Sequence, residues 1–308
     1  MTKQTVLSIG SSLVDIFVTS DQFQLQSTDG GLLLCHTYGD KLELDSLSVS
    51  TGGGGSNTAV GLARLGFAAT LVSELGKDEF AQLVLNDLNK SNVDISKMIN
   101  ERREQTGGSV ILVGPSGDRT VMVHRGAASL LDPPDLPEAL LKSADWVHLS
   151  SISGRHSTLK EIFHHRGEMK RLSWNPGMAE LNLLAAGQFD LLSLPVEILF
   201  VNEKEWAVLR ALHSILLTQI PVVVVTNGPK GGRVFVKGAE QRFDSLVARA
   251  VDATGAGDAF ATGFVAAHLW QKSIEECVQF GLRNSTSVIQ HFGAKTGLLS
   301  KDQILSSQ

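Results

Sequence analysis

The sequence predicts an α/β fold with a central, mostly parallel sheet that is flanked by helices. Short apolar runs alternate with helix-period segments along most of the 308 residues. The runs are apolar on both faces, as is typical of parallel strands covered on both sides. The clearest strands are expected at residues 6–9, 69–75, 146–149, 197–202 and 222–226. The helices between and after them are expected at residues 57–65, 79–89, 159–168, 203–209, 256–270 and 274–289.

Two stretches break this alternation. Residues 31–50 show alternating patterns without a helix signal, and residues 108–124 predict a hairpin with a turn at 114–118. We expect these segments to pair into a small separate sheet that projects from the main domain.

Composition restricts the class of protein. Hydrophobic residues make up 43% and charged residues 19%, with a net charge of -5, which predicts a globular chain with no nucleic-acid or membrane partner. Its apolar runs are too short to cross a bilayer. The two cysteines, Cys35 and Cys277, lack metal-site spacing and favour a reduced, cytoplasmic chain over one with a disulfide.

A glycine-rich turn precedes the first of the two C-terminal helices. In residues 251–264, Thr254, Gly255, Ala256 and Gly257 form a bend whose amides can point at one anion. Asp258 follows in the first helical turn. Its carboxylate would either complement the helix dipole or accept a proton from a hydroxyl that attacks a bound phosphoryl group.

Three more polar loops leave two interpretations open. Residues 51–66 are either a hinge before a helix or a surface for a hydroxyl-rich ligand, with Asn57 as a contact. Residues 226–232 are either a hairpin loop or a ligand site at a strand end. Asn202 and Glu205 form either a capping box or part of a hydrated Mg²⁺ site.

Several common catalytic motifs are absent from the sequence. There is no G-x-x-x-x-G-K-[ST], no G-x-G-x-x-G after the first strand, no H-E-x-x-H and no G-x-S-x-G. Their absence argues against P-loop, zinc-protease and serine-hydrolase chemistry and weakens a dinucleotide site.

Taken together, the motifs resemble those of the ribokinase-like, or PfkB, carbohydrate kinase family over nearly the whole chain. The matching segments are IGSSLVDIFV, GGGGSNTAVGLARLG, RTVMVHRGA, NEKE, TNGPKGG and, most specifically, VDATGAGDAFATGF. The segment IGSSLVDIFV is similar to the family's first strand. The resemblance implies one ribokinase-like domain over residues 1–308, with a β lid formed by about 17–50 and 107–126.

The resemblance also implies a role for individual residues. Asp258 would be the catalytic base, and Gly255, Ala256 and Gly257 the anion hole. The implied substrate contacts are Asp15, Gly53, Gly54, Asn57 and Arg125, and the implied ATP contacts are Asn202, Thr226, Gly228, Gly231, Gly255 and Gly257. Glu205 would bind Mg²⁺ through water, and a monovalent cation such as K⁺ would take Asp252, Thr254 and Gly293.

Some positions depart from the family pattern. Gly54 stands where ribokinases carry a lysine, which argues against ribose. Ser150 and Ser151 stand where ribokinases have a substrate-contacting glutamate, and Gly297 where a serine or threonine often supports K⁺ activation.

The function expected from the resemblance is an ATP- and Mg²⁺-dependent kinase that phosphorylates a primary hydroxyl of a sugar or sugar-like substrate. A nucleoside kinase of the same family is the alternative, with Phe17, Phe23 and Tyr38 as candidate contacts to a base. A non-catalytic sensor of sugar or nucleotide is a third hypothesis. A homodimer through the lid and a monomer are both compatible with the sequence.

Overall fold

The computed structural model describes residues 3–29, 31–114, 119–165 and 168–306. The strands are β1 (Thr5–Ile9), β2 (Leu13–Thr19), β3 (Gln24–Thr28), β4 (Gly31–Cys35), β5 (Ser46–Gly52), β6 (Ala68–Val72), β7 (Glu74–Leu75), β8 (Ile99–Asn100), β9 (Gly107–Val113), β10 (Arg119–His124), β11 (Trp146–Leu149), β12 (Leu172–Trp174), β13 (Ile198–Asn202), β14 (Val222–Thr226), β15 (Gly232–Val236) and β16 (Ala239–Phe243). The helices are α1 (Gly54–Arg64), α2 (Glu79–Lys90), α3 (Glu138–Ser143), α4 (His156–His164), α5 (Met178–Ala185), α6 (Glu203–Val208), α7 (His213–Gln219), α8 (Ala256–Leu269), α9 (Ile274–Val288) and α10 (Lys301–Ser306).

The main sheet confirms the predicted α/β class. Within the described ranges it has eight strands in the order β16-β15-β14-β13-β12-β11-β1-β6. Pairing is parallel from β14 to β6, and the pairs β14–β15 and β15–β16 at one edge are antiparallel. Because strand side chains alternate in direction, Leu199 and Val201 enter the core on one face while Ile198 and Phe200 enter the core on the other.

A second sheet, called here the lid sheet, has the order β10-β9-β2-β5. The predicted hairpin is present as the antiparallel pair β9 and β10, and most of its predicted turn, residues 115–118, lies outside the described part of the chain. The strand expected at residues 6–9 is present as β1 in the main sheet, whereas most of IGSSLVDIFV forms β2 in the lid sheet. The chain passes between the sheets at Gly10, where a β-carbon would lie 2.9 Å from the amide nitrogen of Gly55.

The glycine-rich loop enters helix α1 earlier than predicted. The helix starts at Gly54 instead of residue 57, so two of the four consecutive glycines form its first turn. A β-carbon at Gly55 would lie 2.6 Å from the carbonyl carbon of Gly10, so glycine lets the helix approach the β1 segment closely. The glycine at position 55 is therefore required by the packing of α1 against the end of β1.

Two predictions drawn from composition concern membrane spans and a disulfide. In the described ranges, no helix combines the length and the apolar character that a membrane span requires. Cys35 and Cys277 are both free thiols. Cys277 is buried among apolar side chains of α8 and α9, and this burial raises the pKa of its thiol to about 12.

Candidate active site

The site lies at the carboxyl edge of the main sheet. Ser150 follows β11, Asn175 follows β12, Asn202 ends β13 and Thr226 ends β14. Because parallel strands end at the same edge, these four polar residues lie on one side of the sheet, where ligands bind in open α/β folds. The glycine-rich turn before α8 faces the same edge, since Asn175 contacts Asp258 of that helix.

The turn before α8 has the geometry of an anion site. Gly255 is left-handed, with φ 73°, and a β-carbon there would lie 2.4 Å from that of Ala294, so only glycine fits. A β-carbon at Gly257, by contrast, meets no atom within 4 Å, which leaves open space beside the first amides of the helix. Ala256 begins the helix, and its amide donates to the carbonyl of Ala253 in the turn at 3.3 Å.

Asp258 is held by amide groups alone. Its Oδ2 accepts a hydrogen bond from Asn57 Nδ2 at 2.7 Å, and its Oδ1 accepts one from Asn175 Nδ2 at 3.3 Å. Among the described residues it forms no ion pair with a lysine, arginine or histidine. Burial raises the pKa of Asp258, and the two asparagine donors oppose that rise. A carboxylate in this state can accept a proton.

Unpartnered polar atoms surround this carboxylate. A β-carbon on Gly54 would lie 3.6 Å from Asp258 Oδ1 and 3.1 Å from Ser150 Oγ. The Oδ1 of Asn57 and the Oγ of Ser150 are buried without a hydrogen-bond partner in the described structure. Buried polar atoms are normally satisfied, so these atoms fit a site for ligand hydroxyls. Gly53, with φ 94°, makes the bend that brings α1 to this place.

Asp15 lies on the lid sheet at the same site. Its neighbours across the strands are Ser50 and Ser109, and Ser109 Oγ donates to Asp15 Oδ1. Burial raises the pKa of Asp15, against the Ser109 hydrogen bond and the charge of Lys295. Arg125, the fifth implied substrate contact, is exposed beyond the end of β10, and the structure shows no side-chain contact between it and Asp15 or Asp258.

A buried lysine that no sequence motif indicated supports residues 51–56, called here the substrate loop because the family resemblance implies substrate contacts there. Lys295 Nζ donates to Thr51 Oγ1 at 2.8 Å, to Asp87 Oδ2 at 2.8 Å and to Ser56 Oγ. These three bonds use all three protons of the ammonium group. The lysine therefore holds the loop but has no donor left for a ligand.

The nucleotide side of the site combines the ends of β13 and β14. Asn202 and Thr226 are neighbours in register. Gly228 has φ 52° with open space at its Cβ position, whereas a β-carbon on Gly231, φ 76°, would collide with a backbone oxygen of Phe243 at 2.0 Å. The first glycine therefore leaves room above the loop, and the second is required by packing.

Asn202 and Glu205 form the capping box that was one of the two interpretations. Asn202 Oδ1 accepts from the Glu205 amide at 3.0 Å, and Glu205 Oε2 accepts from the Asn202 amide at 2.8 Å. The pKa of Glu205 is raised by burial and by the negative charge of Asp258. The second influence places Glu205 near Asp258. Its Oε1 has no hydrogen-bond partner among the described residues, so this oxygen fits a water on Mg²⁺.

Asp252 organises the turn before α8. Its Oδ1 accepts from the Thr254 amide at 2.9 Å and from Thr254 Oγ1 at 2.7 Å, while its Oδ2 accepts from the Gly293 amide at 2.9 Å. The guanidinium of Arg119, at the start of β10, forms an ion pair with the same carboxylate. The three residues implied for a monovalent cation are therefore together, and an arginine supplies the positive charge there.

Comparison with known proteins identifies the family. The model of the pfkB family carbohydrate kinases matches residues 3–301. The chain belongs to this family. As a PfkB protein it is a phosphotransferase with an alcohol group as acceptor, as the resemblance implied. The ribokinase of Staphylococcus aureus is 27% identical over 97% of both chains. A nucleoside kinase of Methanothermobacter thermautotrophicus is 25% identical over 95% of this chain and 92% of its own.

A solved structure confirms the ribokinase-like fold. The ribokinase of Cryptococcus neoformans in complex with ADP superposes with a TM-score of 0.79 at 21% identity and covers all of both chains. This PfkB chain therefore has the expected central sheet, helical layers and small separate sheet.

Proposed function

We propose that this PfkB protein is an ATP-dependent kinase that transfers the γ-phosphate to a primary hydroxyl of a sugar or sugar-like substrate. The supporting observation is the state of Asp258, which is partly buried, bound by two amides and free of a described ion pair, next to a glycine turn suited to an anion. A helix-dipole role alone would not require Asn57 and Asn175 to point at its two oxygens.

The proposed chemistry is a direct transfer. The substrate hydroxyl gives its proton to Asp258 while its oxygen bonds to the γ-phosphorus, and the bond from that phosphorus to the bridging oxygen breaks to release ADP. The amides of Gly255, Ala256 and Gly257 stabilise the charge on the transferring group. Asn202, Thr226 and Gly228 are proposed to contact the nucleotide. Mg²⁺, held through water by Glu205, would neutralise charge on the phosphates.

The charges around the substrate loop favour a neutral acceptor. Asp15 and Asp258 are both acidic, and two cations of this region are engaged: Lys295 by three acceptors and Arg119 by Asp252. An acidic or phosphorylated substrate would meet two carboxylates, whereas Arg125, the implied cationic contact, is exposed beyond β10 and contacts neither of them. The polar atoms without partners suit sugar hydroxyls.

One observation favours the nucleoside alternative. Phe17, on the same face of the lid sheet as Asp15, packs edge-on against Phe292, with ring centroids 6.3 Å apart. Phe292 is 51% exposed beside Gly293, so its ring offers a flat surface for a base. Phe17 and Phe23 are both buried and Tyr38 is fully exposed, so of the three residues suggested by the sequence Phe17 is relevant only through its ring contact with the half-exposed Phe292.

A substrate panel tests the proposal. The purified protein is incubated with ATP, Mg²⁺ and D-ribose, D-fructose, 2-dehydro-3-deoxygluconate, adenosine or cytidine, with K⁺ or with choline in its place, and ADP release is followed. We expect turnover with a neutral sugar. Turnover with nucleosides alone would support the alternative, and calorimetric sugar binding without ADP formation under any condition would support the sensor.

The exposed surface of the lid sheet supports the homodimer as the assembly. Leu47, Val49, Val121, Met122 and Val123 are each about half exposed there, and a second copy would cover them. Sedimentation velocity at two concentrations measures the mass, and a monomer at both would reject the dimer. Cytoplasmic localisation stays a prediction.

A further inference from the structure

Glu180 is a fully buried carboxylate on the first turn of α5, with 0% of its surface exposed. In the described structure it has no lysine, arginine or histidine partner. It accepts four hydrogen bonds instead: Ser151 Oγ at 3.0 Å and the amides of Ile152 at 2.8 Å, Gly154 at 2.9 Å and Gly177 at 3.0 Å. A buried charge is stable only when such donors replace its water.

Helix capping accounts for only one of these four bonds. The Gly177 amide is the N-cap donor of α5, so this bond belongs to a capping box. Glu276 occupies the same third position in α9, where it accepts from the Ser273 amide at 2.8 Å and lies near the surface. The three additional bonds of Glu180 all go to the loop after β11, which is a separate segment.

That loop is held in a strained conformation. Ser153 has φ 62° and Gly154 has φ 71°, and a left-handed serine is uncommon. The two segments also pack closely, since a β-carbon on Gly177 would lie 2.7 Å from Ser151 Oγ. Strained backbone of this kind costs on the order of 1–3 kcal/mol and persists where surrounding contacts enforce it. The hydrogen bonds to Glu180 are such contacts.

Both segments held by Glu180 start with a residue of the candidate active site. Ser150, one residue before Ser151, carries the buried unpartnered hydroxyl beside Gly54. Asn175, two residues before Gly177, donates to Asp258 Oδ1 at 3.3 Å. Glu180 therefore fixes the spacing of two polar groups around Asp258 without touching that residue itself.

We propose that Glu180 is a positioning residue that locks the loops after β11 and β12 so that Ser150 and Asn175 are correctly placed around Asp258. The kinetic part of this proposal rests on the proposed function of Asp258 as the base. The structural part does not, because the Asn175 hydrogen bond acts on Asp258 whether or not a phosphate is transferred.

The structural part is tested by titration without any substrate. NMR of protein labelled with ¹³C at the aspartate carboxyl carbons follows Asp258, assigned by its missing signal in Asp258→Asn. In Glu180→Gln, one amide N–H replaces a carboxylate oxygen that accepts hydrogen bonds, so the loops shift and Asn175 loses its contact. We expect the pKa of Asp258 to rise above that of the parent. In Glu276→Gln, the matched capping variant, we expect no change.

Steady-state kinetics with the best acceptor from the substrate panel test the kinetic part of the proposal. We expect Glu180→Gln to lower kcat by about tenfold to a hundredfold, as for a misplaced catalytic group, with the KM for ATP unchanged. Ser151→Ala, which removes one of the four donors, gives a smaller change in the same direction and covers the case in which Glu180→Gln does not fold.

The outcomes separate this inference from the proposed function. If Glu180→Gln and Ser151→Ala both leave the Asp258 titration as in Glu276→Gln, Glu180 is only a helix cap and the inference is overturned. If the titration shifts while the parent transfers no phosphate, the positioning holds and the kinase proposal fails.

Discussion

Asp258 combines a raised pKa with hydrogen-bond donors that are all neutral. Asparagine at this position keeps the shape but cannot accept a proton. We therefore expect Asp258→Asn to lose ~10²–10⁴-fold in turnover, the usual contribution of a general base. ADP release with the best acceptor measures the loss, and calorimetry is expected to show unchanged ATP binding.

A matched control separates catalysis from helix stabilisation. Asp302 also lies in the first turn of a helix, α10, and is none of the candidate site residues. Asp302→Asn is expected to change the free energy of unfolding by less than about 1 kcal/mol and to leave turnover unchanged. Equal turnover of the parent and Asp258→Asn would refute the base.

The pH dependence follows from the environment of the carboxylate. Because the pKa of Asp258 is raised, turnover should fall with acidification at a higher pH than for an ordinary aspartate. The Asn57 donor at 2.7 Å favours the ionised form. Asn57→Ala should therefore move the acidic limb of the pH profile of kcat/KM to higher pH. If the acidic limb of the variant lies at the same pH as that of the parent, this account is contradicted.

The sequence predicted some site residues better than others for a physical reason. Asp258 and Asn57 belong to glycine-rich motifs, in which backbone conformation restricts the residue type, and the structure joins them directly. Asn175 follows a strand of three residues, too short to give a periodic signal. Its place at a parallel strand end was the available clue. Glu180 is polar on a short helix, and nothing local indicates its complete burial.

At the scale of elements, β10 and the turn before α8 are joined by the ion pair between Arg119 and Asp252. Arg119→Ala would leave a buried carboxylate without its charged partner, at a cost of about 1–3 kcal/mol in unfolding free energy. We expect this variant to require K⁺ for full turnover, whereas the parent does not. The measurement compares KCl with choline chloride at equal ionic strength.

The control for this prediction is another arginine on a strand. Arg242 of β16 pairs with Glu240 and is 81% exposed. Arg242→Ala should change the free energy of unfolding by less than about 1 kcal/mol. It should leave the response of turnover to K⁺ unchanged. A parent that is already strongly activated by K⁺ would show that Arg119 does not replace the ion.

The bounds of helices and strands were predicted well where the local hydrophobic periodicity was strong. They were missed where tertiary packing determines where an element begins or ends. The β13 and β14 strands and the C-terminal helices lie within one or two residues of their predicted bounds. The end of β1 was predicted at residue 9, whereas the bounds of β2 were missed because the resemblance assigned residues 9–18 to a single strand. The early start of α1 depends on contact between Gly55 and Gly10, two residues distant in sequence.

At the scale of the molecule, Lys295 joins the C-terminal loop to α2 and the substrate loop. The lysine is 6% exposed, and burial lowers its pKa while Asp87 opposes that change. Replacing one partner of a buried ion pair is strongly destabilising, so Lys295→Met should lose about 3–5 kcal/mol of unfolding free energy. Urea unfolding measures this loss. The control is Lys272→Met, which removes one partner of the exposed ion pair with Glu276 and should change the free energy of unfolding by less than about 1 kcal/mol. A small loss in Lys295→Met would show that the pair is not needed for stability.

The Lys295 contacts also set an order of events during synthesis on the ribosome. The lysine meets Thr51, Ser56 and Asp87, which precede it by 244, 239 and 208 positions. Chains emerge from the amino terminus first and long-range contacts close late. A nascent chain that ends before residue 295 can build much of the sheet but lacks the ammonium group that ties down its glycine loop. The contacts of Lys295 with Thr51 and Ser56 therefore form only after residue 295 has left the ribosome.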